Sequence, residues 1–333
     1  MRNYFSRLRR EAPDRFLAAL VLAAAFAVFL AADQTHWWQL RSDYAFGWLV
    51  PGLVIFVIVE RWPKLAAIFR AGGGSPLSNG LRGALNVVAG LTFGTGLAIF
   101  LLGAVYRAGA GSTQPGSLAM AFGFSGVLLG LIYFNVPQGR VGEDNGSGWR
   151  ALRADARLRA VALFLFPALI WMLSAPLVSA VENSISLFLL RRVVSVVFSI
   201  FGLLGYPLIQ EGNVLVLPHG QVGVADACSG IRSLTGCLFA GSFLAAVFLE
   251  RFWQKILLVV AALGLAFFTN LLRSLFLTGW AYAYGSEAIE GNLHDATGWI
   301  VLGLTCVGLF CLLPLLRPSN WRRWFCGVAS LRG

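Results

Sequence analysis

Cys228, Arg273 and His294 are the residue types whose chemistry fits together in this chain. A cysteine thiolate attacks a carbonyl carbon and forms a thioester. A fixed cation stabilises the oxyanion that results. A histidine takes and returns protons near neutral pH. Together they describe acyl transfer. Each alone also has a plainer role: a small thiol between helices, an arginine snorkelling to headgroups, a histidine at an interface. Their neighbours extend the set. Asn270 lies three residues before Arg273, on the same helical face. Asp226 can pair with Arg232, and Asp295 can hydrogen-bond His294. No serine–histidine–acid set is equally placed. The sequence holds no Walker loop, dinucleotide fingerprint or metal-ligand spacing, so no cofactor and no metal are expected. Cys228 and Cys237 stand nine residues apart, about 13 Å along a helix, too far for a disulfide.

The element that presents the cysteine is the stretch EGNVLVLPHGQVGVADACSGIRSLTG, Glu211 to Gly236. Val214–Leu217 and Gln221–Val224 read as short strands joined at Pro218-His219-Gly220, a turn signal. A long apolar helix opens near Cys228. The unpaired N–H groups of its first turn favour a thiolate over a thiol.

The composition sets the class. The 333 residues are 58% hydrophobic and 12% charged, about half the charge of a soluble domain. Several apolar runs exceed the ~17 residues that cross a bilayer. The chain is therefore an all-α polytopic membrane protein of about eight spans, with a short extracytoplasmic β-hairpin before the cysteine helix. The spans fall near 16–32, 46–59, 83–106, 117–136, 160–180, 228–249, 256–281 and 294–316. The N-terminal helical region is 1–180; the catalytic membrane region is 181–333. Residues 33–51 and 60–82 read as loops. The run 193–209 either crosses or lies in the interface. The net charge of +11 is read as cytoplasmic-loop arginine, not as a nucleic-acid surface. With 181–227 outside, most of the 26 Lys and Arg residues fall inside, as the positive-inside rule requires. Cys228, Arg273 and His294 then share one depth near the outer surface of the membrane.

At these residues the chain resembles the exosortase/archaeosortase family of multi-span cysteine transpeptidases. The resemblance rests on Ala227-Cys228-Ser229-Gly230-Ile231-Arg232, Asn270-Leu271-Leu272-Arg273 and His294-Asp295-Ala296-Thr297-Gly298. It extends to Tyr44-Ala45-Phe46-Gly47-Trp48-Leu49-Val50-Pro51, where Phe46 replaces a histidine common in the family. The resemblance implies that the substrates are exported proteins with a C-terminal sorting signal: a short Pro-containing motif, a membrane helix and a basic tail (PEP-CTERM proteins). It implies cleavage at the outer face of a bacterial cytoplasmic membrane, with transfer to an unknown acceptor amine or to water, and exopolysaccharide-linked surface display. Two other readings stand beside it. One is a non-enzymatic permease or flippase in which Arg273 and His294 bind an anionic lipid or sugar phosphate. The other is an intramembrane cysteine protease that hydrolyses without transfer.

Overall fold

Long uninterrupted apolar runs leave the backbone one solution in a bilayer, the internally hydrogen-bonded helix. The computed structural model describes residues 11–71, 75–137, 141–146, 149–218, 220–223, 231–289 and 291–316. It is an all-α polytopic membrane protein with a small sheet. Among the described residues, eight helical segments are long and apolar enough to cross a bilayer; they include Ser179–Leu203, whereas the expected span 228–249 is represented by a shorter apolar helix, Ser233–Phe248. The chain divides into two compact units, Met1–Val178 and Ser179–Gly333.

The first unit is built from α1 (Asp14–Leu40), a 3₁₀ turn (Ser42–Leu49), α2 (Val50–Arg70), β1 (Ser75–Leu77), α3 (Asn79–Ala110), α4 (Gln114–Asn135), β2 (Val141–Gly146), α5 (Trp149–Ala154) and α6 (Ala156–Ser174). β1 and β2 pair in parallel. Thr113 caps α4 by accepting from the Gly116 N–H, and Asp155 caps α6 by accepting from the Arg157 and Leu158 N–H groups. α3 and α4 approach through glycine. A Cβ on Gly123 would sit 2.5 Å from the Phe100 backbone nitrogen, and one on Gly96 would sit 2.9 Å from the Gly123 carbonyl oxygen. Small residues at such a crossing let two backbones meet where lipid gives no hydrophobic drive.

Two segments expected as loops are helical over much of their length. α1 runs on to Leu40, through the stretch read as the start of an outer loop. No glycine or proline interrupts it there, and its polar groups find partners inside the unit. Asp33 is buried and accepts from Ser112 Oγ at 2.9 Å, from Ser117 Oγ and from Arg107 Nε at 2.7 Å. Trp37 Nε1 donates to Ser117 Oγ at 2.8 Å. Gln34 Nε2 donates to the Trp171 carbonyl at 3.1 Å, and Ser174 Oγ donates to Gln34 Oε1 at 2.8 Å. Likewise α2 continues past Glu60 to Arg70. Its Arg61 is buried and donates to the Leu163 carbonyl of α6, so this cation needs no aqueous loop.

The second unit starts with α7 (Ser179–Leu203), followed by β3 (Ile209–Glu211), β4 (Val214–Leu217) and β5 (Gly220–Gly223). α8 (Ile231–Phe248), α9 (Phe252–Tyr284), a 3₁₀ turn (Ser286–Ile289) and α10 (Asn292–Leu316) complete it. The hairpin forms as expected: β4 and β5 are antiparallel with Leu217 opposite Gly220. A third strand, β3, adds to its other edge with Glu211 opposite Val214. The two-residue turn between them places Gly212 at φ +64, a conformation glycine enters without steric cost. Residues 193–203 of the open run form the C-terminal part of the 25-residue helix α7, and Ile209 opens β3. One stripe of α7 (Leu190, Val193, Val194, Val197, Phe201) packs with Leu215 and Leu217 of β4 and Leu277 and Ala281 of α9. The sheet is therefore anchored on the helix pair.

α8, α9 and α10 form the rest. Leu244, Ala245 and Leu249 pack with Leu258 and Ala262, and with Leu309 and Leu313. α8 and α9 are joined by a short connection and run antiparallel. A Cβ on Gly241 would lie 2.7 Å from the Ala262 Cβ, which fixes their level. Ten residues up from that contact, about 15 Å at 1.5 Å per residue, Ile231 at the start of α8 is level with Leu272. α10 is antiparallel to α9 in turn: Gln254 Nε2 donates to the Leu316 carbonyl at 2.7 Å, and Thr269 and Thr305 bond through their hydroxyls at 3.0 Å.

Candidate active site

Arg273 sits 22 residues into the 33-residue α9 and His294 in the first turn of α10. The antiparallel pairing of these helices brings them into contact. Arg273 Nη2 lies 2.9 Å from His294 Nε2 and donates to the His294 carbonyl at 3.0 Å. Arg273 Nε donates to Thr297 Oγ1 at 3.3 Å, and Thr297 Oγ1 donates to the His294 carbonyl at 2.8 Å. Guanidinium has five N–H donors and no acceptor. His294 Nε2 is therefore the acceptor in this contact, and the ring proton is carried on Nδ1.

The arrangement is a clamp on the guanidinium. Nε and Nη2 are held by α10, while Nη1 makes no hydrogen bond among the described residues. An arginine in a membrane helix is costly to place and marks function by default. This one is half-buried and fixed on two sides. Such a group can stabilise negative charge on an oxygen without reorganising. No group of three or more His, Cys, Asp or Glu residues that could hold a metal occurs among the described residues.

Of the other site residues read from the sequence, Asn270 is buried on α9, one turn below Arg273. Arg232 lies in the first turn of α8 and Asp295 in the first turn of α10, with side chains outside the described residues. Cys228 and Asp226 also lie outside the described residues. Thr297 was not singled out from the sequence. The available signal was its spacing: three residues after His294, it falls on the same helical face. On the first unit, Tyr44 is buried, and its hydroxyl accepts from the Leu177 N–H at 3.0 Å. A Cβ on Gly47 would collide with the Trp38 indole at 2.1 Å. His36 is exposed, with its ring edge-on to Trp37.

A multi-span helical bundle with an arginine–histidine pair in its membrane helices belongs to the class of polytopic membrane proteins with an intramembrane or juxtamembrane polar site. A family model described as transmembrane exosortase matches residues 37–311, and the chain belongs to that family. No curated protein and no solved structure matches the chain. Membership carries a membrane transpeptidase-type role in general terms, directed at sorting-signal substrates in the membrane.

Proposed function

We propose that the protein is a cysteine transpeptidase that cleaves the C-terminal sorting signals of exported proteins, with Cys228 as nucleophile. The observation that carries this reading is the Arg273–His294 pair at 2.9 Å, level with the start of α8. Cys228 is three residues upstream of Ile231 in the sequence, so covalent connectivity keeps it within about 10 Å of that point. The Cys228 thiol gives its proton to His294 as its sulfur adds to the carbonyl carbon of the scissile peptide bond, and the π electrons move onto oxygen. Arg273 Nη1 donates to that oxyanion. Its collapse restores the carbonyl and breaks the C–N bond, and His294 delivers a proton to the leaving amine. The thioester is then attacked by an acceptor amine, or by water, with His294 accepting the proton released. Asp226 pairs with Arg232 beside the nucleophile, and Asp295 orients the histidine.

The same reading places the active site at the outer face of the cytoplasmic membrane. Arg191 and Arg192 support it. They occupy the middle of α7 and both are exposed. A crossing α7 would carry two cations to the bilayer centre, at about 2.5–3.5 kcal/mol each on insertion scales. Lying in the interface instead, α7 keeps them at headgroup level, and the 18-residue α8 supplies the eighth span. Most arginines then stay inside.

The test is thiol labelling in intact cells with a membrane-impermeant reagent, comparing wild type with Cys228→Ala. Labelling lost in the variant, together with loss of substrate processing, is expected. Labelling only in opened membranes would place the thiol inside and sink the reading. Full processing by Cys228→Ala would do the same and favour a permease in which Arg273 and His294 bind an anion.

A further inference from the structure

The Asn270 amide is the polar group of this unit that the packing leaves unexplained. It is 4% exposed, inside a helix bundle. Neither its Nδ2 nor its Oδ1 makes a hydrogen bond among the described residues, while nearby hydroxyls are satisfied. Thr269 Oγ1 bonds the Leu265 carbonyl and Thr305, and Ser274 Oγ donates to the Asn270 backbone carbonyl at 3.0 Å. A buried amide without a partner is unfavourable, and buried polar groups in folded proteins are nearly always paired. A hydrophobic residue of the same size would pack there at lower cost. Exceptions of this kind concentrate at functional sites.

Its position says what the missing partner is. Leu258, Ala262, Ala266, Asn270 and Ser274 form one i+4 row along α9, all buried. Leu258 and Ala262 in this row pack with α8. By the Gly241–Ala262 contact, Asn270 is level with the first turn of α8, at about Ser233. Arg273 is three residues further on, so its Cβ is about 5–6 Å from that of Asn270. Two donors without a hydrogen bond among the described residues, Asn270 Nδ2 and Arg273 Nη1, are therefore offered from adjacent turns of one helix, at the end where α8 begins. A single carbonyl oxygen has two lone pairs and takes two such donors.

We propose that Asn270 is a substrate-binding residue whose side-chain N–H donates to the carbonyl oxygen of the scissile peptide bond, beside Arg273. This rests on the cysteine-transpeptidase reading above. The amide then forms a two-donor oxyanion hole with the guanidinium. With no hydrogen bond to its side chain among the described residues, the amide is ready for the substrate. No further reactant is needed, since the donors only follow the charge as the C–S bond forms and the C–N bond breaks.

The decisive variant is Asn270→Leu in the full-length protein. Two readouts are taken together: thermal unfolding of the detergent-solubilised protein, and cleavage of a secreted reporter ending in a Pro-containing motif, an apolar helix and a basic tail. Substrate binding by the amide predicts at least a tenfold loss of cleavage rate, chiefly in kcat, with an unfolding midpoint equal to or above that of wild type. Asn270→Gln, which moves the same amide by one methylene, should recover part of the rate. Wild-type cleavage by Asn270→Leu overturns the proposal. So does a loss accompanied by a lower midpoint, which would make the amide structural. Cys228→Ala is run in parallel. If it cleaves normally, the transpeptidase reading and this proposal fall together. If it is inactive while Asn270→Leu is fully active, only the assignment of Asn270 falls.

Discussion

Arg273 is held by its shape as much as by its charge. Nε reaches Thr297, Nη2 reaches both His294 Nε2 and the His294 carbonyl, and Nη1 is left over. A lysine ammonium is a point donor on a flexible stem and cannot hold those positions and still present a fixed N–H. Arg273→Lys is therefore expected to lower processing by about 10²–10³-fold, the cost typical of a lost oxyanion donor. Thr297→Val removes one acceptor for Nε and one donor to the His294 carbonyl. It should slow processing by about tenfold and cost about 1 kcal/mol of stability. Rates from a reporter-cleavage time course at matched expression check both. A Thr297→Val enzyme as slow as Arg273→Lys would mean that the hydroxyl does more than position the guanidinium.

At the scale of elements, the first unit is fastened by polar groups at the ends of its helices. Asp33 takes donors from Arg107 at the end of α3, from Ser112 between α3 and α4, and from Ser117 at the start of α4. Three elements thus converge on one buried carboxylate. Asp33→Ala would strand Arg107, which is about a third exposed, along with two hydroxyls. Breaking a fully buried pair costs about 3–5 kcal/mol. Solvent access to Arg107 reduces that here, to about 2–3 kcal/mol. Thermal unfolding of the solubilised protein should show a lower midpoint for Asp33→Ala. Asp33→Asn, which keeps the shape and the hydroxyl contacts, should fall between. An unchanged midpoint for both would show that the cluster adds nothing to the stability of the unit.

For the whole molecule, the sidedness of the site turns on α7. If Arg191 and Arg192 hold this helix in the interface, a phosphatase reporter fused after Gly212, active only outside the cytoplasm, should be active in the wild-type chain. Arg191→Leu with Arg192→Leu removes the two central cations from α7, a helix already long and apolar enough to cross, and reporter activity should drop. An inactive wild-type fusion would mean that α7 spans and that the sheet faces the cytoplasm. A stretch of two arginines amid valine and leucine is ambiguous by composition. What decides it is which side of the helix the cations occupy, and that depends on which stripe packs against α9.

The sequence by itself determined the class. An apolar run must become a helix in lipid, so the all-α membrane class followed from composition alone, while the helix bounds at Leu40 and Arg70 and the length of α7 did not. The Val-Leu-Val-Leu run with its Pro-His-Gly joint similarly determined the β4–β5 hairpin. The preceding Gly212-Asn213 carried the same kind of turn signal for β3, but no apolar alternation flanked it on that side. Tertiary structure alone decided which polar residues meet. Nothing local distinguishes Asp33, satisfied by three donors distant in sequence, from a carboxylate in an outer loop, so the length of α1 was hidden. Arg273 and His294 were legible as chemistry and as depth, since rise per residue places both. Their contact, the part played by Thr297 and the unpaired amide of Asn270 depend on the rotation of α9 about its axis. That rotation is set by side chains packing across helices, which periodicity along one helix does not contain.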